Sequence, residues 1–104
     1  MRFLVKVSIP IQKGNAAISD GSLPQTIKSI LTEQKPEAAY FVEDNGTRTG
    51  YIVVDIRNAS DLPAMAEPWF LAFDARVEFH LAMTPDDLMK AGPAIEQAVK
   101  KYSR

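Results

Sequence analysis

The stretch AAYFVEDNGTRTGYIVVDI, from Ala38 to Ile56, decides the fold. Two runs rich in Tyr, Phe, Ile and Val flank Asn45-Gly46, and both central residues of a tight type I′ turn need a positive φ, which Asn and Gly tolerate. The stretch therefore predicts a β-hairpin with a two-residue turn, in which Asp44 pairs with Thr47. A longer loop would shift this register.

The predicted register sorts the hairpin side chains onto two faces. The apolar face carries Ala39, Phe41, Ile52, Val54 and Ile56. The mixed face carries Ala38, Tyr40, Val42, Tyr51, Val53 and Asp55. Tyr40 and Tyr51 are expected to lie side by side across the hairpin, because they are paired in this register.

The segments before the hairpin predict one strand and one helix. Residues Arg2–Ile9 alternate apolar and polar side chains, which is typical of a half-buried strand. Gln12–Gly21 contains several turn formers and is expected to be a loop, with one helical turn at Asn15–Ser19. Leu23–Gln34 carries an apolar stripe and is expected to be a helix, with Ser22 as the first residue of a capping box.

The segments after the hairpin repeat this pattern in reverse. A helix is expected to begin at Asn58 or Ser60, and Pro68 should kink or divide it. Its apolar stripe comprises Leu62, Met65, Ala66, Trp69, Phe70 and Phe73. Ala75–Met83 alternates as a strand, and a C-terminal helix opens at Thr84 and is interrupted at Gly92-Pro93.

These elements predict an α+β fold of order βαββαβ, with an extra C-terminal helix. Two helices should cover one face of a four-stranded antiparallel sheet, over an apolar set of strand residues: Phe3, Val5, Val7, Ile9, Phe41, Ile52, Val54, Val77, Phe79 and Leu81. The opposite face, called the open face below, should present Leu4, Lys6, Ser8, Tyr40, Val42, Tyr51, Val53, Asp55, Glu78, His80 and Ala82. Such a mixed patch indicates a partner or a ligand.

Composition limits the class of protein. With 104 residues and 46% hydrophobic residues, the chain is expected to form a single domain, residues 1–104, around one core. It has no cysteine, which excludes disulfide frameworks and cysteine nucleophiles. A net charge of −1 gives no reason to expect nucleic acid or an anionic membrane as partner. No targeting segment is recognisable, so a cytoplasmic location is expected.

Candidate site residues lie on the open face. His80 is the only histidine, with Glu78 two residues before it, and its imidazole could act as a general base or as a haem ligand. A hydrogen-bonded histidine in a dimer interface is the simpler interpretation. Lys6 and Asp55 could form a proton-transfer pair or a plain salt bridge.

The remaining candidates carry weaker signals. Tyr40 and Tyr51 could line a ligand pocket, although cross-strand packing explains them equally well. A metal site would need the one histidine plus scattered carboxylates, and none is expected. Nucleotide-binding, serine hydrolase and zinc motifs do not occur. RNA recognition motifs share the βαββαβ order, but an acidic chain does not favour phosphate binding.

A resemblance rests on three runs of sequence, Glu67–Phe73, Val77–Phe79 and Met83–Leu88, together with the element order. In these the chain resembles the dimeric α+β barrel superfamily of ferredoxin-like proteins. It looks most similar to uncharacterised bacterial single-domain members, and more distantly to muconolactone isomerase and the small antibiotic-biosynthesis monooxygenases. The resemblance implies a homodimer in which two sheets face each other, and it transfers no catalytic residue.

Two functions therefore remain open. In the first, the homodimer encloses a pocket in which Tyr40, Tyr51, His80, Glu78 and Lys6 bind, and rearrange or oxidise, a small and partly apolar molecule. The sequence indicates neither a metal nor a cofactor for this reaction, although a form that binds haem or flavin stays open. In the second, the same side chains only hold a non-catalytic dimer together.

Overall fold

Four strands and five α-helices make up the part of the chain that is described, residues 1–103 of a computed structural model. In chain order the elements are β1 (Arg2–Ile9), α1 (Ile11–Ser19), α2 (Leu23–Gln34), β2 (Ala38–Asp44), β3 (Thr47–Asp55), a 3₁₀ turn (Ala59–Asp61), α3 (Leu62–Phe73), β4 (Arg76–Leu81), α4 (Pro85–Lys90) and α5 (Gly92–Tyr102). The predicted α+β class is confirmed.

The strands form one antiparallel sheet in the order β2-β3-β1-β4. The hairpin has the predicted register, with Asp44 opposite Thr47 and Tyr40 opposite Tyr51. Its turn residue Asn45 has φ 52°, and Gly46 follows with φ 75°. The two-residue turn predicted from the sequence is therefore confirmed, and with it the division of side chains between the two faces.

Helices α1, α2 and α3 pack on one face of this sheet. The core lies between them and the sheet and consists of Val5, Val7, Ile9, Ala17, Leu23, Ile30, Ile52, Val54, Ile56, Trp69, Phe73 and Ala75. Trp69 is completely buried, and its ring stacks near Phe73 with centroids 6.2 Å apart. Five of the ten residues of the predicted apolar set are in the core, and Phe3, Val77 and Phe79 are partly buried against it. Phe41 and Leu81 remain 48% and 62% exposed, and the α3 residue Phe70 is 39% exposed.

The loop predicted for Gln12–Gly21 is wrong, because α1 occupies Ile11–Ser19. Gly14 suggested a turn, but it lies inside this helix. A Cβ atom at this position would lie 2.7 Å from Nη1 of Arg48, which also donates to the side chain of Asn15 at 3.0 Å. Arg48 is exposed and its side chain is flexible, so the contact tolerates the glycine but does not by itself require it.

The capping box predicted at Ser22 is also wrong. Ser22 has helical angles, φ −83° and ψ −19°, and its side chain makes no cap hydrogen bond. Instead its backbone N–H donates to Oδ1 of Asp20 at 2.8 Å. A capping side chain needs an extended residue, which the chain provides at Thr84, where φ is −76° and ψ is 166°.

Pro68 does not divide α3, which continues through it from Leu62 to Phe73. A proline inside a helix has no N–H for the carbonyl four residues before it, here that of Ala64. Nε2 of Gln34, at the end of α2, lies 3.3 Å from that carbonyl oxygen and 3.1 Å from the oxygen of Met65. A side chain from the neighbouring helix therefore supplies the hydrogen bond that the proline removes.

The C-terminal helices extend away from the rest of the molecule. The predicted interruption at Gly92-Pro93 is confirmed, and Thr84 Oγ1 accepts the N–H of Asp87 at 3.2 Å in the predicted cap. None of the residues of α4 and α5 is buried. The described chain measures 59 × 28 × 20 Å, with a radius of gyration of 17.5 Å, against about 13 Å for a compact domain of this size.

Candidate functional site

The open face of the sheet carries the residues that the sequence singled out. Register places Lys6 between Tyr51 on β3 and Glu78 on β4. Two residues further along β1, Ser8 lies between Thr49 on β3 and Arg76 on β4. These six neighbours share one face because residues that are directly paired in adjacent strands point to the same side.

Three side chains at the hairpin end of this face form a bonded cluster. Nζ of Lys6 lies 2.9 Å from Oδ2 of Asp44, and the hydroxyl of Tyr51 donates to the same oxygen at 3.0 Å. The ammonium group also lies 6.0 Å from the centre of the Tyr51 ring. We call Lys6, Asp44 and Tyr51 the polar cluster.

The hydrogen bonds within the polar cluster favour the charged forms of Lys6 and Asp44. The hydrogen bond to Asp44 raises the pKa of Lys6, and the hydrogen bonds from Lys6 and then Tyr51 lower the pKa of Asp44. At neutral pH the lysine is therefore an ammonium and the aspartate a carboxylate. The ammonium of Lys6 has no lone pair to accept a proton, and a lowered pKa makes the carboxylate of Asp44 a weaker base. The cluster is therefore better suited to bind and orient a polar group than to take a proton from it.

A hollow of about 450 Å³ lies beside the polar cluster. Its lining is mostly polar and comprises Lys6, Ser8, Pro10, Asp44, Asn45, Thr47, Thr49, Asp74, Arg76 and Glu78. Thr49 is 2% exposed although it lies on the open face, and its hydroxyl donates to the carbonyl of Thr47 at 3.1 Å. Both cations and carboxylates line the hollow, so it fits a neutral or zwitterionic polar group better than a multiply charged one.

His80 lies on the same face, one pair beyond Glu78. It is opposite Leu4 in the register and is exposed to solvent. Tyr40 is 66% exposed on the edge strand β2. The structure therefore brings Lys6, Tyr51 and Glu78 together at the centre of the open face, with His80 and Tyr40 further out.

Asp55 lies apart from these residues. Its carboxylate accepts a hydrogen bond from the N-terminal ammonium of Met1 at 2.9 Å, which lowers its pKa. It is paired with Arg2, four residues or about 13 Å along β1 from Lys6. The predicted Lys6–Asp55 pair is wrong, because Lys6 pairs with Asp44.

Asp44, Arg76 and Thr49 were not predicted as site residues. Asp44 immediately precedes the turn, and a carboxylate at that position is ordinary turn chemistry. The hairpin register nevertheless places Asp44 opposite Thr47, on the same face as Tyr51. That register, extended across β1, was the signal that could have found the polar cluster.

Within residues 1–103, no group of three or more His, Asp or Glu side chains is arranged to hold a metal ion. In the same range, no helix has both the length and the apolar character needed to cross a membrane. No model of a known protein family matches the chain, and no curated protein is significantly similar to it.

Proposed function

We propose that this protein is a homodimer of ferredoxin-like chains whose open faces meet, as in a dimeric α+β barrel, and that the space between them binds a small, partly apolar molecule. The strand order and the helices on a single face of the sheet support this arrangement. The observation that carries this proposal is that no helix among the described residues covers the other face of the sheet.

The exposed side chains of the open face make a solvated monomer unfavourable. Tyr40 and Val42 are 66% and 43% exposed on neighbouring positions of that face. Burying an apolar surface yields about 25 cal/mol per Å², so a second sheet across this face is stabilising. A homodimer supplies that second sheet with the same surface and a two-fold axis.

The chemistry of the open face suggests the kind of ligand. The polar cluster offers an ammonium, a carboxylate and a phenol at one end, while Leu4 and Val53 are paired further along β1 and β3. A molecule with a hydrogen-bonding head and an apolar or aromatic body fits this division. The head would lie at the polar cluster and the body along the sheet.

A metal-free isomerase is the reaction that the face supports best, ahead of a monooxygenase. An isomerisation by proton transfer takes a proton from one carbon and returns it to another, and it needs no co-reactant. His80, with Glu78 beside it, is the residue of this face whose type suits that transfer. Oxygenation would need dioxygen and a source of electrons besides.

A non-catalytic dimerisation module is the alternative. The polar cluster favours it, because Lys6, Asp44 and Tyr51 already satisfy one another without a ligand. In that case the open face only holds two copies together.

The variant His80→Ala separates the two functions. If His80 serves a ligand, the variant keeps the dimer mass and loses the binding of the aromatic probe anilinonaphthalene sulfonate, measured by its fluorescence. If His80 only holds the interface, the variant dissociates at micromolar protein and the probe signal does not fall. Lys28→Ala, an exposed change on α2 behind the sheet, is the matched control.

A further inference from the structure

We propose that α4 and α5 form an arm that crosses to a second copy and packs into the groove between that copy's α3 and β4. The arm comprises residues 84–102. This inference rests on the proposed homodimer and adds to it a second contact, away from the open face.

Within the described residues 1–103, no other element buries the apolar side chains of the arm. The large apolar side chains of α4 and α5 are half or more exposed: Leu88 51%, Met89 76%, Ile95 50%, Val99 55% and Tyr102 78%. Ile95, Val99 and Tyr102 are spaced by four and three residues, which places them on one side of α5. A two-helix segment with no buried residue is marginal alone, because helices of this length are stabilised mainly by packing.

The same chain also carries an apolar groove that no side chain of the described residues fills. It lies between α3 and the edge strand β4, has a volume of about 570 Å³, and is lined by Leu62, Pro63, Ala66, Glu67, Phe70, Val77 and Phe79. Phe70 is 39% exposed at this groove, although its position in the stripe predicted burial. The exposure of Phe70 is explained if another chain completes this part of the core.

The arm and the groove are complementary in charge. Among the described residues that line the groove, Glu67 is the one that carries a charge, and it is exposed. The last turn of α5 carries Lys100 and Lys101, next to the apolar side of the helix. An arm whose apolar side faces the groove can therefore bring a lysine to Glu67.

A second copy is the occupant that matches both surfaces. Each copy carries one arm and one groove, so a two-fold exchange covers both pairs at once and leaves neither exposed. The 6 residues of α4 rise about 9 Å and the 11 residues of α5 about 16 Å, so α5 alone is long enough to lie along a groove beside one helix of a partner. An anionic membrane is a poorer match, because Asp86, Asp87 and Glu96 offset Lys90, Lys100 and Lys101, and the arm carries no net positive charge.

Engineered disulfides test this directly, because the chain has no cysteine of its own. Glu67→Cys and Lys100→Cys are made as separate single variants, mixed, and oxidised mildly. We expect a covalent species of twice the chain mass in the mixture, at least tenfold above each variant alone. The control mixture replaces Glu67→Cys with Lys28→Cys, on α2, and should give no such enrichment.

The possible failures are distinguishable. A double variant carrying both Glu67→Cys and Lys100→Cys is made as well. If it forms its disulfide within one copy, the arm folds back on its own chain and the exchange is wrong. If the protein is a dimer by light scattering but the mixture gives no heterodimeric disulfide, the exchange is wrong while the proposed function stands. A monomer would overturn both.

The variant Val99→Asp provides a second measurement that does not depend on disulfide geometry. Val99 is 55% exposed in the single chain, so the change should leave the fold of each copy intact. We expect the dimer dissociation constant to rise at least tenfold, measured by sedimentation, with Lys28→Asp as control. An unchanged dissociation constant would contradict the exchange.

Discussion

At the scale of single residues, Asp44 holds the polar cluster of the open face together, because it accepts hydrogen bonds from both of the other members. Sequence reasoning found both neighbours, Lys6 and Tyr51, but gave Lys6 the wrong partner. The reason is physical: a face assignment from alternation says which side a residue is on, but not how far along the strand its partner lies. Only the joint register of β1, β2 and β3 brings Lys6 to Asp44 rather than to Asp55.

The lowered pKa of Asp44 predicts a dependence of stability on pH. A carboxyl whose folded pKa lies below its unfolded value of about 3.9 stabilises the fold fully above that value, and the contribution is lost as the pH falls through the folded pKa. Asp44→Asn should therefore be less stable than wild type at pH 7, and the difference should shrink below about pH 4.

Urea unfolding at several pH values between 7 and 3 measures this difference. Glu33→Gln, an exposed carboxylate on α2, serves as control and should follow wild type throughout. Asp20, Asp55 and Asp87 also have lowered pKa values and will destabilise every variant alike in acid, so the comparison between variants carries the test. A difference that does not change with pH would contradict the role given to Asp44.

At the scale of elements, two local signals succeeded, one local signal failed at Ser22, and Pro68 depends on a partner from another element. The Asn45-Gly46 turn and the Thr84 cap are set by neighbouring residues, and both are as predicted. The helix α1 was not predicted because Gly14 and Asn15 are weak helix formers, and the helix is stabilised by packing on the sheet through Ala17. The continuity of α3 through Pro68 likewise depends on Gln34, which lies in a different helix.

The contact between Gln34 and Ala64 gives a prediction for α3. Gln34→Ala should destabilise the protein by about 1 kcal/mol, because it removes the hydrogen bonds from this amide to the carbonyls of Ala64 and Met65. In a Pro68→Ala background the same change should cost less, since residue 68 then supplies its own N–H. The coupling between the two changes should be about 0.5 to 1 kcal/mol, measured by urea unfolding of the four proteins.

The control for this cycle is Gln25→Ala, on the first turn of the same α2 helix and exposed. It should show no coupling with Pro68→Ala. Equal losses from Gln34→Ala with and without Pro68 would show that the amide does not compensate for the proline.

At the scale of the whole molecule, three unpartnered surfaces occur on one chain: the open face, the groove beside α3, and the arm. An extended chain of 59 Å with this much exposed apolar surface is unusual for a monomer. Sequence reasoning predicted the open face from alternation alone. It did not predict the groove or the exposure of the arm, because both depend on where helices lie relative to each other.

The mass of the protein in solution tests the proposed dimer most directly. Light scattering on a sizing column at micromolar protein should give a value near twice the chain mass of 11.5 kDa. That result would agree with two open faces meeting across a two-fold axis. A mass of one chain would contradict the dimer, leaving Tyr40, Tyr51 and His80 on a solvated sheet.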